Sequence, residues 1–251
     1  MQSDNANPPL YGLAFCVFGR AESILLARGG GFDFVVVDME HGPLGLTDLG
    51  QVAAAGLCAG TPVFGRVTGP ASGDIARVLD CGASGVIVPH VDSAAEAHAI
   101  AQVCRFAPKG RRALPGPLPG LDYAVLPAPA LAEAAERDSS VIAMIESAAG
   151  LAAVDQIAAT PGIDMLMIGT NDLADGIGLR GQTQHPALLE AFRRIATAAR
   201  DNLCGFGIMG LPPELIQSHA IALGATAIVV TNETNLISQG GAALLRTIKP
   251  T

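Results

Sequence analysis

A β-strand buried on both faces is apolar throughout, so a titratable side chain at its carboxyl end needs a reason to be there. Several stretches of this chain carry one. Phe34-Val-Val-Val runs into Asp38-Met39-Glu40-His41, Pro62-Val-Phe-Gly into Arg66, Gly85-Val-Ile-Val-Pro89 into His90, and Val141-Ile-Ala-Met-Ile145 into Glu146. A fifth, Asp164-Met-Leu-Met-Ile168, continues through Gly169, Thr170 and Asn171 to Asp172. Asp38 precedes His41 by three residues, near enough for the carboxylate to hold one ring nitrogen while the other exchanges a proton. A plain structural hydrogen bond is the competing explanation. The Arg66 guanidinium suits a developing oxyanion or a carboxylate; its structural alternative is a salt bridge to Asp38 or to Asp80. Glu146 and Asp172 end neighbouring strands, and two carboxylates meeting there repel unless a cation joins them. A hard divalent ion takes one or two protein carboxylates and keeps waters for substrate oxygens, so Mg2+ or Mn2+ fits, with Co2+ or Zn2+ as further candidates. Helix capping by Glu146 and a helix start at Asp172 would explain the same residues without a metal.

Positioning these groups together requires strands whose ends converge. Short runs rich in Val, Ile, Phe and Leu alternate with Ala-rich segments of helical period, the pattern of repeated βα units. Eight strands are expected: Leu13 to Phe18, Phe32 to Asp38, Pro62 to Val67, Gly85 to Pro89, Val141 to Glu146, Asp164 to Ile168, Gly205 to Met209 and Ala227 to Val230. Helices are expected between them, among them Ser93 to Arg105, Ser147 to Ala159 and Pro186 to Asn202, with the Ser93 and Ser147 hydroxyls as caps. The whole chain, 1–251, reads as a single α/β domain, a (β/α)8 TIM barrel, and a doubly wound open sheet is the competing architecture. Pro108 to Pro129 holds six prolines and three glycines, which cannot sustain a helix and read as a long ordered loop placed for function or a subunit contact.

Composition narrows the class. Half of the residues are hydrophobic and 15% are charged, a balance for a packed interior. A net charge of -8 with scattered basic residues offers nucleic acid no footprint. No apolar run approaches a membrane span, and MQSDNANPPLYG lacks the basic and apolar regions of a secretory signal, so a cytoplasmic enzyme is expected. Five cysteines without CxxC pairs argue for buried free thiols over disulfides or zinc. The only lysines, Lys109 and Lys249, fall outside the strands, which excludes a barrel lysine forming a Schiff base. Two GxGxxG matches, at Gly176 to Gly181 and Gly205 to Gly210, lack the strand-turn-helix context and ribose-binding acid of a dinucleotide site. The second leaves Met209 to Leu211 as a possible substrate wall.

With these residues placed, the chain resembles the HpcH/HpaI aldolase and citrate lyase family, metal-dependent class II pyruvate aldolases. The resemblance runs from Gly12 to the last helix. It is carried by Phe34-Val-Val-Val-Asp-Met-Glu-His-Gly42, Leu79-Asp-Cys-Gly-Ala-Ser-Gly-Val-Ile-Val-Pro89, Pro108-Lys-Gly-Arg111, Ile145-Glu146 and Ile168-Gly-Thr-Asn-Asp-Leu173. It implies a barrel of the phosphoenolpyruvate/pyruvate-binding type, a metal on Glu146 and Asp172, His41 assisted by Asp38 as acid-base group, Arg66 steadying an enolate, and Asp80 in support. Gly169, Thr170, Asn171 and Asp172 would hold the substrate carboxylate. The implied reaction is reversible cleavage of a 4-hydroxy-2-oxo acid into pyruvate, or a close 2-oxo acid, and an aldehyde through a metal-bound enolate. A homo-oligomer, hexamer or trimer, is implied as well. Two departures bear on specificity: Met144 stands where many relatives carry Gln, and Arg112-Ala113 follows Arg111 where many read Gly. An acyl-CoA lyase of the citryl or malyl type and a non-catalytic barrel binding a small acid are the alternatives.

Overall fold

Residues 8–249 are described by a computed structural model, and the outermost residues of the expected 1–251 domain lie outside them. The chain opens with β1 (Leu10–Phe15), α1 (Ser23–Gly29), β2 (Phe34–Asp38), α2 (Leu46–Ala59), β3 (Val63–Arg66), α3 (Ile75–Asp80), β4 (Gly85–Val88) and α4 (Ala94–Cys104). After a long loop come α5 (Ala128–Arg137), β5 (Ser140–Ile145), α6 (Ala148–Ala152), α7 (Val154–Ala158), β6 (Met165–Gly169) and α8 (Thr170–Gly176). It closes with α9 (Pro186–Asp201), β7 (Gly205–Met209), α10 (Ile216–His219), β8 (Ala227–Asn232) and α11 (Glu233–Ile248). The eight strands pair in parallel, each with its neighbours in sequence and β1 with β8, in a closed barrel. Closure excludes the doubly wound sheet.

The period of two along each strand sorts its side chains. Odd positions of β2 and β5, such as Val35, Val37, Val141 and Ala143, pack outward under the helices in one large core. Even positions, Phe34, Val36, Ile142 and Met144, point inward with Ala14, Ile87, Met167 and Val229 and fill the barrel. Asp38 and Glu146 continue that inward parity past the last apolar layer, as Arg66 does after Phe64. Thus their type and position together put charge at the barrel mouth.

Three expectations shift. The first strand starts at Leu10 and ends at Phe15, three residues early at each end. Leu10 and Tyr11 pair with Ala227 and Ile228 of β8, while the buried Glu233 carboxylate accepts the N–H groups of Cys16, Val17 and Phe18 and turns the chain out of the sheet. The expected Ser147 to Ala159 helix is two, α6 and α7, broken at Ala153 (φ -93°, ψ 4°). Ser147 does cap it, accepting from Gly150 N at 2.9 Å, as Ser93 caps α4 by accepting from Glu96 N at 3.2 Å. The proline-rich segment is a loop apart from one 3-10 turn at Pro119–Leu121, but α5 begins inside it at Ala128. A proline in the first helical turn forfeits an N–H that has no helical partner anyway, so Pro129 does not prevent this start.

The last helix differs from the others. Glu233 is the one residue of α11 that is buried, and Leu236, Ile237, Leu244, Leu245 and Ile248 are all exposed. Among the described residues no helix is long and apolar enough to cross a membrane.

Candidate active site

The strand ends surround a cavity of about 560 Å³ whose lining includes Cys16, Asp38, His41, Arg66, Met144, Glu146 and the run Gly169 to Asp172. The residues expected to act together therefore converge, with the exception of Asp80. Asp80 ends α3, and a barrel helix runs antiparallel to its strands, so its carboxyl end lies at the opposite face from the cavity. There it pairs with Arg112 at 2.7 Å instead of backing Arg66. Arg112 in turn stacks over the Phe106 ring, 4.8 Å from its centroid.

Asp38 is fully buried, and its partner is Arg66: Nε donates to Oδ1 at 3.0 Å and Nη2 to Oδ2 at 2.5 Å. Its Oδ1 also accepts the backbone N–H groups of Glu40 and His41 at 3.0 and 3.3 Å. The expected Asp38–His41 dyad is corrected accordingly. A carboxylate at a strand end reaches the backbone of the turn that follows it, and the guanidinium on the adjacent strand takes the rest. The His41 ring stands free of Asp38 at the cavity rim, 63% exposed, with Glu40 Oε2 3.9 Å from Nε2. Burial alone would raise the Asp38 carboxyl, but the hydrogen bonds and charge of Arg66, with the two N–H groups, hold it below the ordinary carboxylate value. Burial would likewise lower Arg66, and Asp38, Glu40 and Glu146 together hold it above its usual value. Asp38 also acts on Cys16, whose thiol is pushed up to about 12 by burial, Asp38 and Glu233, far too high for a thiolate nucleophile.

Glu146 is buried at the end of β5. Oε1 accepts from His90 N at 2.8 Å, and Oε2 is buried without a hydrogen-bond partner among the described residues. Gly169 is what makes room for it: a Cβ there would lie 2.3 Å from Oε2. Burial first, then the charges of Glu40 and Asp172, push the Glu146 carboxyl above its ordinary value against the pull of His90. Thr170 Oγ1 is also buried and unpartnered. Asp38, Glu40 and Glu146 thus surround one guanidinium, with Asp172 lining the same cavity, and buried oxygens of Glu40 and Glu146 have no hydrogen-bond partner among the described residues. That donor set fits a hard divalent cation, which Glu146 and Asp172 would hold.

Two further residues belong to the cluster. Glu40 Oε2 lies 2.9 Å from Arg66 Nη1, off the line of a hydrogen bond, and Glu40 Oε1 lies 2.8 Å from His90 Nε2. Glu40, His90 and Glu146 offer ligand atoms within 4.8 Å of one another. Both sit at strand ends in the sequence, but nothing in the spacing says which way the side chains turn. The remaining wall is neutral: Met209 at the end of β7 and Gly210 to Pro213 after it, Val229 to Asn232 on β8, and Asn235 and Gln239 on α11. The expected wall of Met209 to Leu211 lies within it. The amides on α11 carry no sequence signal, since polar residues on a terminal helix read as a solvated face.

A model of a protein family described as HpcH/HpaI aldolase/citrate lyase matches residues 15–230. The chain is 36% identical to the 4-hydroxy-4-methyl-2-oxoglutarate aldolase tasA of Hapsidospora irregularis, covering 86% of this chain and 82% of that one. It is 32% identical to a 4-hydroxy-2-oxovalerate aldolase of Rhodococcus jostii, covering 90% and 86%. Among solved structures, an HpcH/HpaI aldolase from Desulfitobacterium hafniense superimposes with a TM-score of 0.90 over 97% of this chain and 94% of that one, at 22% identity, a likeness of fold.

Proposed function

Since this chain belongs to the HpcH/HpaI aldolase/citrate lyase family, we propose that its cavity cleaves 4-hydroxy-2-oxo acids to pyruvate, or a close 2-oxo acid, and an aldehyde. It is a carbon–carbon lyase of the aldolase type. The observation that carries the site assignment is the buried, unpartnered Glu146 Oε2 in one cavity with Asp172 and Arg66. Glu146 and Asp172 hold a divalent cation, Mg2+ or Mn2+, with Co2+ or Zn2+ as alternatives. When bound, the cation supplies positive charge to the 2-oxo and carboxylate oxygens of the donor.

The protein's own groups do the rest. The backbone around Gly169 to Asn171 and the Thr170 hydroxyl face the donor carboxylate. In the cleavage direction the proton of the C4 hydroxyl passes to a His41 ring nitrogen, and the C4–O bond becomes the aldehyde carbonyl as C3–C4 breaks. The electron pair of that bond is left on C3, delocalised toward the C2 oxygen, where the Arg66 guanidinium opposes the developing charge. Asp38 does not touch the His41 ring; it fixes Arg66 through two hydrogen bonds, so its part in the reaction is to orient the guanidinium. A proton returned to C3, the one His41 took or one exchanged with solvent, then completes pyruvate.

The five cysteines are all free, as a reducing compartment keeps them, which supports a cytoplasmic location. The unpacked apolar residues of α11, and Leu114, Tyr123 and Val125 exposed on the proline-rich loop, support a homo-oligomer, trimer or hexamer, in which these surfaces are covered. Light scattering at assay concentration checks this, and a fully active monomer contradicts it. The activity is tested with 4-hydroxy-2-oxovalerate and Mn2+: equimolar pyruvate and acetaldehyde are expected, and release of neither from this or other 4-hydroxy-2-oxo acids contradicts the reading.

A further inference from the structure

Four non-glycine residues among those described have a positive φ, and three of them, Asp122, Tyr123 and Leu203, lie in loops outside the cavity cluster. The fourth is His90, at φ 57°, just beyond β4 and between two of the cluster's carboxylates. A left-handed backbone is costly for a residue that bears a β-carbon and persists where its surroundings impose it. Here it brings three contacts. The His90 N–H donates to Glu146 Oε1 at 2.8 Å, ring Nδ1 lies 3.0 Å from the same oxygen, and ring Nε2 lies 2.8 Å from Glu40 Oε1. All three leave Glu146 Oε2 untouched.

We infer that His90 is a positioning residue for Glu146: its ring and N–H pin Oε1 so that Oε2 alone is presented to the cavity beside Asp172. This rests on the metal reading above. A glutamate side chain ends in a broad, nearly two-fold torsion, so an unpinned carboxylate exchanges its oxygens freely. Pinning one oxygen selects the other, and the missing Cβ of Gly169 gives that other oxygen its place. Through Glu40 the same ring joins a continuous set of contacts, Glu146 to His90 to Glu40 to Arg66 to Asp38, across the ends of β5, β4, β3 and β2. The side that holds the cation and the side that faces the C2 oxygen are thereby held in fixed relation. Residues that orient a metal ligand from behind are typically worth about 10- to 100-fold in metal affinity. The ring is half exposed, so an ordinary surface ion pair, contributing little to anything, is the reading to beat.

His90→Gly separates the two. Glycine keeps the N–H and adopts the left-handed backbone without strain, so only the ring is lost. Free Mn2+ followed by electron paramagnetic resonance gives the dissociation constant for wild type, His90→Gly and His90→Asn. Binding about 10- to 100-fold weaker is expected in His90→Gly, with the melting temperature of the metal-free protein unchanged or raised. Partial recovery is expected in His90→Asn, whose amide donates to Glu146 and whose backbone tolerates the left-handed region. At saturating Mn2+ the glycine variant should recover most of its kcat. Should His90→Gly fail to fold, His90→Asn decides instead: Mn2+ binding weaker than wild type by less than that full loss is expected, and wild-type affinity overturns the inference. A wild-type protein that takes up no Mn2+ overturns the metal reading and this inference with it, whereas tight wild-type binding that is unchanged in the folded variant overturns this inference alone.

Discussion

The rim of the barrel divides into a charged half and a neutral half. On the ends of β2 to β5, Asp38, Glu40, Arg66, His90 and Glu146 hold one another through contacts of 2.5 to 3.0 Å. On the ends of β7 and β8 and the first turns of α11, the wall is Met209, Leu211, Val229, Asn232, Asn235 and Gln239, apolar or amide. Charges brought out of water must be paired and rigidly placed, so the first half is built on strand ends and leaves little freedom. The second half lies largely on a loop and a helix, where side chains can change without disturbing a network. On the proposed function, the 2-oxo acid and its enolate would lie against the charged half and the aldehyde against the neutral one.

The largest effect that would break this division is at His41. His41→Ala removes the proton carrier and leaves the cation site, so cleavage should fall on the order of 10²- to 10⁴-fold while Mn2+ affinity is retained; cleavage at the wild-type rate contradicts the role. Next is Arg66→Lys, which keeps a charge and loses the fork that Asp38 orients. Solvent deuterium exchange into the pyruvate methyl group should slow by about 10²- to 10³-fold, and undiminished exchange places the charge stabilisation elsewhere.

Asp38→Asn leaves a buried guanidinium without its main partner and should cost about 3 kcal/mol at pH 7, measured by urea unfolding. The sign with pH follows from the Asp38 carboxyl lying below its ordinary value in the fold. Its stabilisation is complete above the unfolded value of about 3.9 and is lost as the pH falls through the folded one. The gap between wild type and variant should therefore close in strong acid, and a constant gap removes the pair from the explanation. The smallest effect is in the neutral half. Gln239→Arg places a cation where the acceptor would lie and should favour cleavage of a 4-hydroxy-2-oxo acid with a second carboxylate beyond C4. The shift relative to 4-hydroxy-2-oxovalerate should be about tenfold, the order of one charge-assisted hydrogen bond. No shift would show that this wall does not meet the acceptor.

The charged half was the more legible in the sequence. Asp38, Arg66 and Glu146 interrupt apolar runs at inward parity, and a charge in that position has few structural uses. Glu40 and His90 were visible at the same strand ends, but the left-handed turn that swings His90 over Glu146 leaves no mark in a sequence. The Asp38–His41 spacing suggests a dyad, and spacing alone does not decide between it and the Arg66–Asp38 salt bridge that the sequence also offers. Asp80 was misplaced for a related reason: a residue close in the chain to a strand can sit at either end of the barrel. The first strand slipped by three residues because its end is set by Glu233, more than two hundred residues away. In the neutral half only the Met209 to Leu211 run was legible, since Asn235 and Gln239 matter only once α11 is known to border the cavity.

The central claim is that the free oxygen of Glu146 and the carboxylate of Asp172 hold a divalent cation without which the aldol cleavage does not run. Its most direct test is cleavage of a 4-hydroxy-2-oxo acid by protein stripped with chelator, verified metal-free, and then titrated with Mn2+ or Mg2+, for wild type and Glu146→Gln side by side. The account predicts that the stripped wild type is inactive and regains full activity on titration, while Glu146→Gln, folded as judged by circular dichroism, regains none at any attainable concentration. Full cleavage by verified metal-free wild type, or by Glu146→Gln, would contradict it.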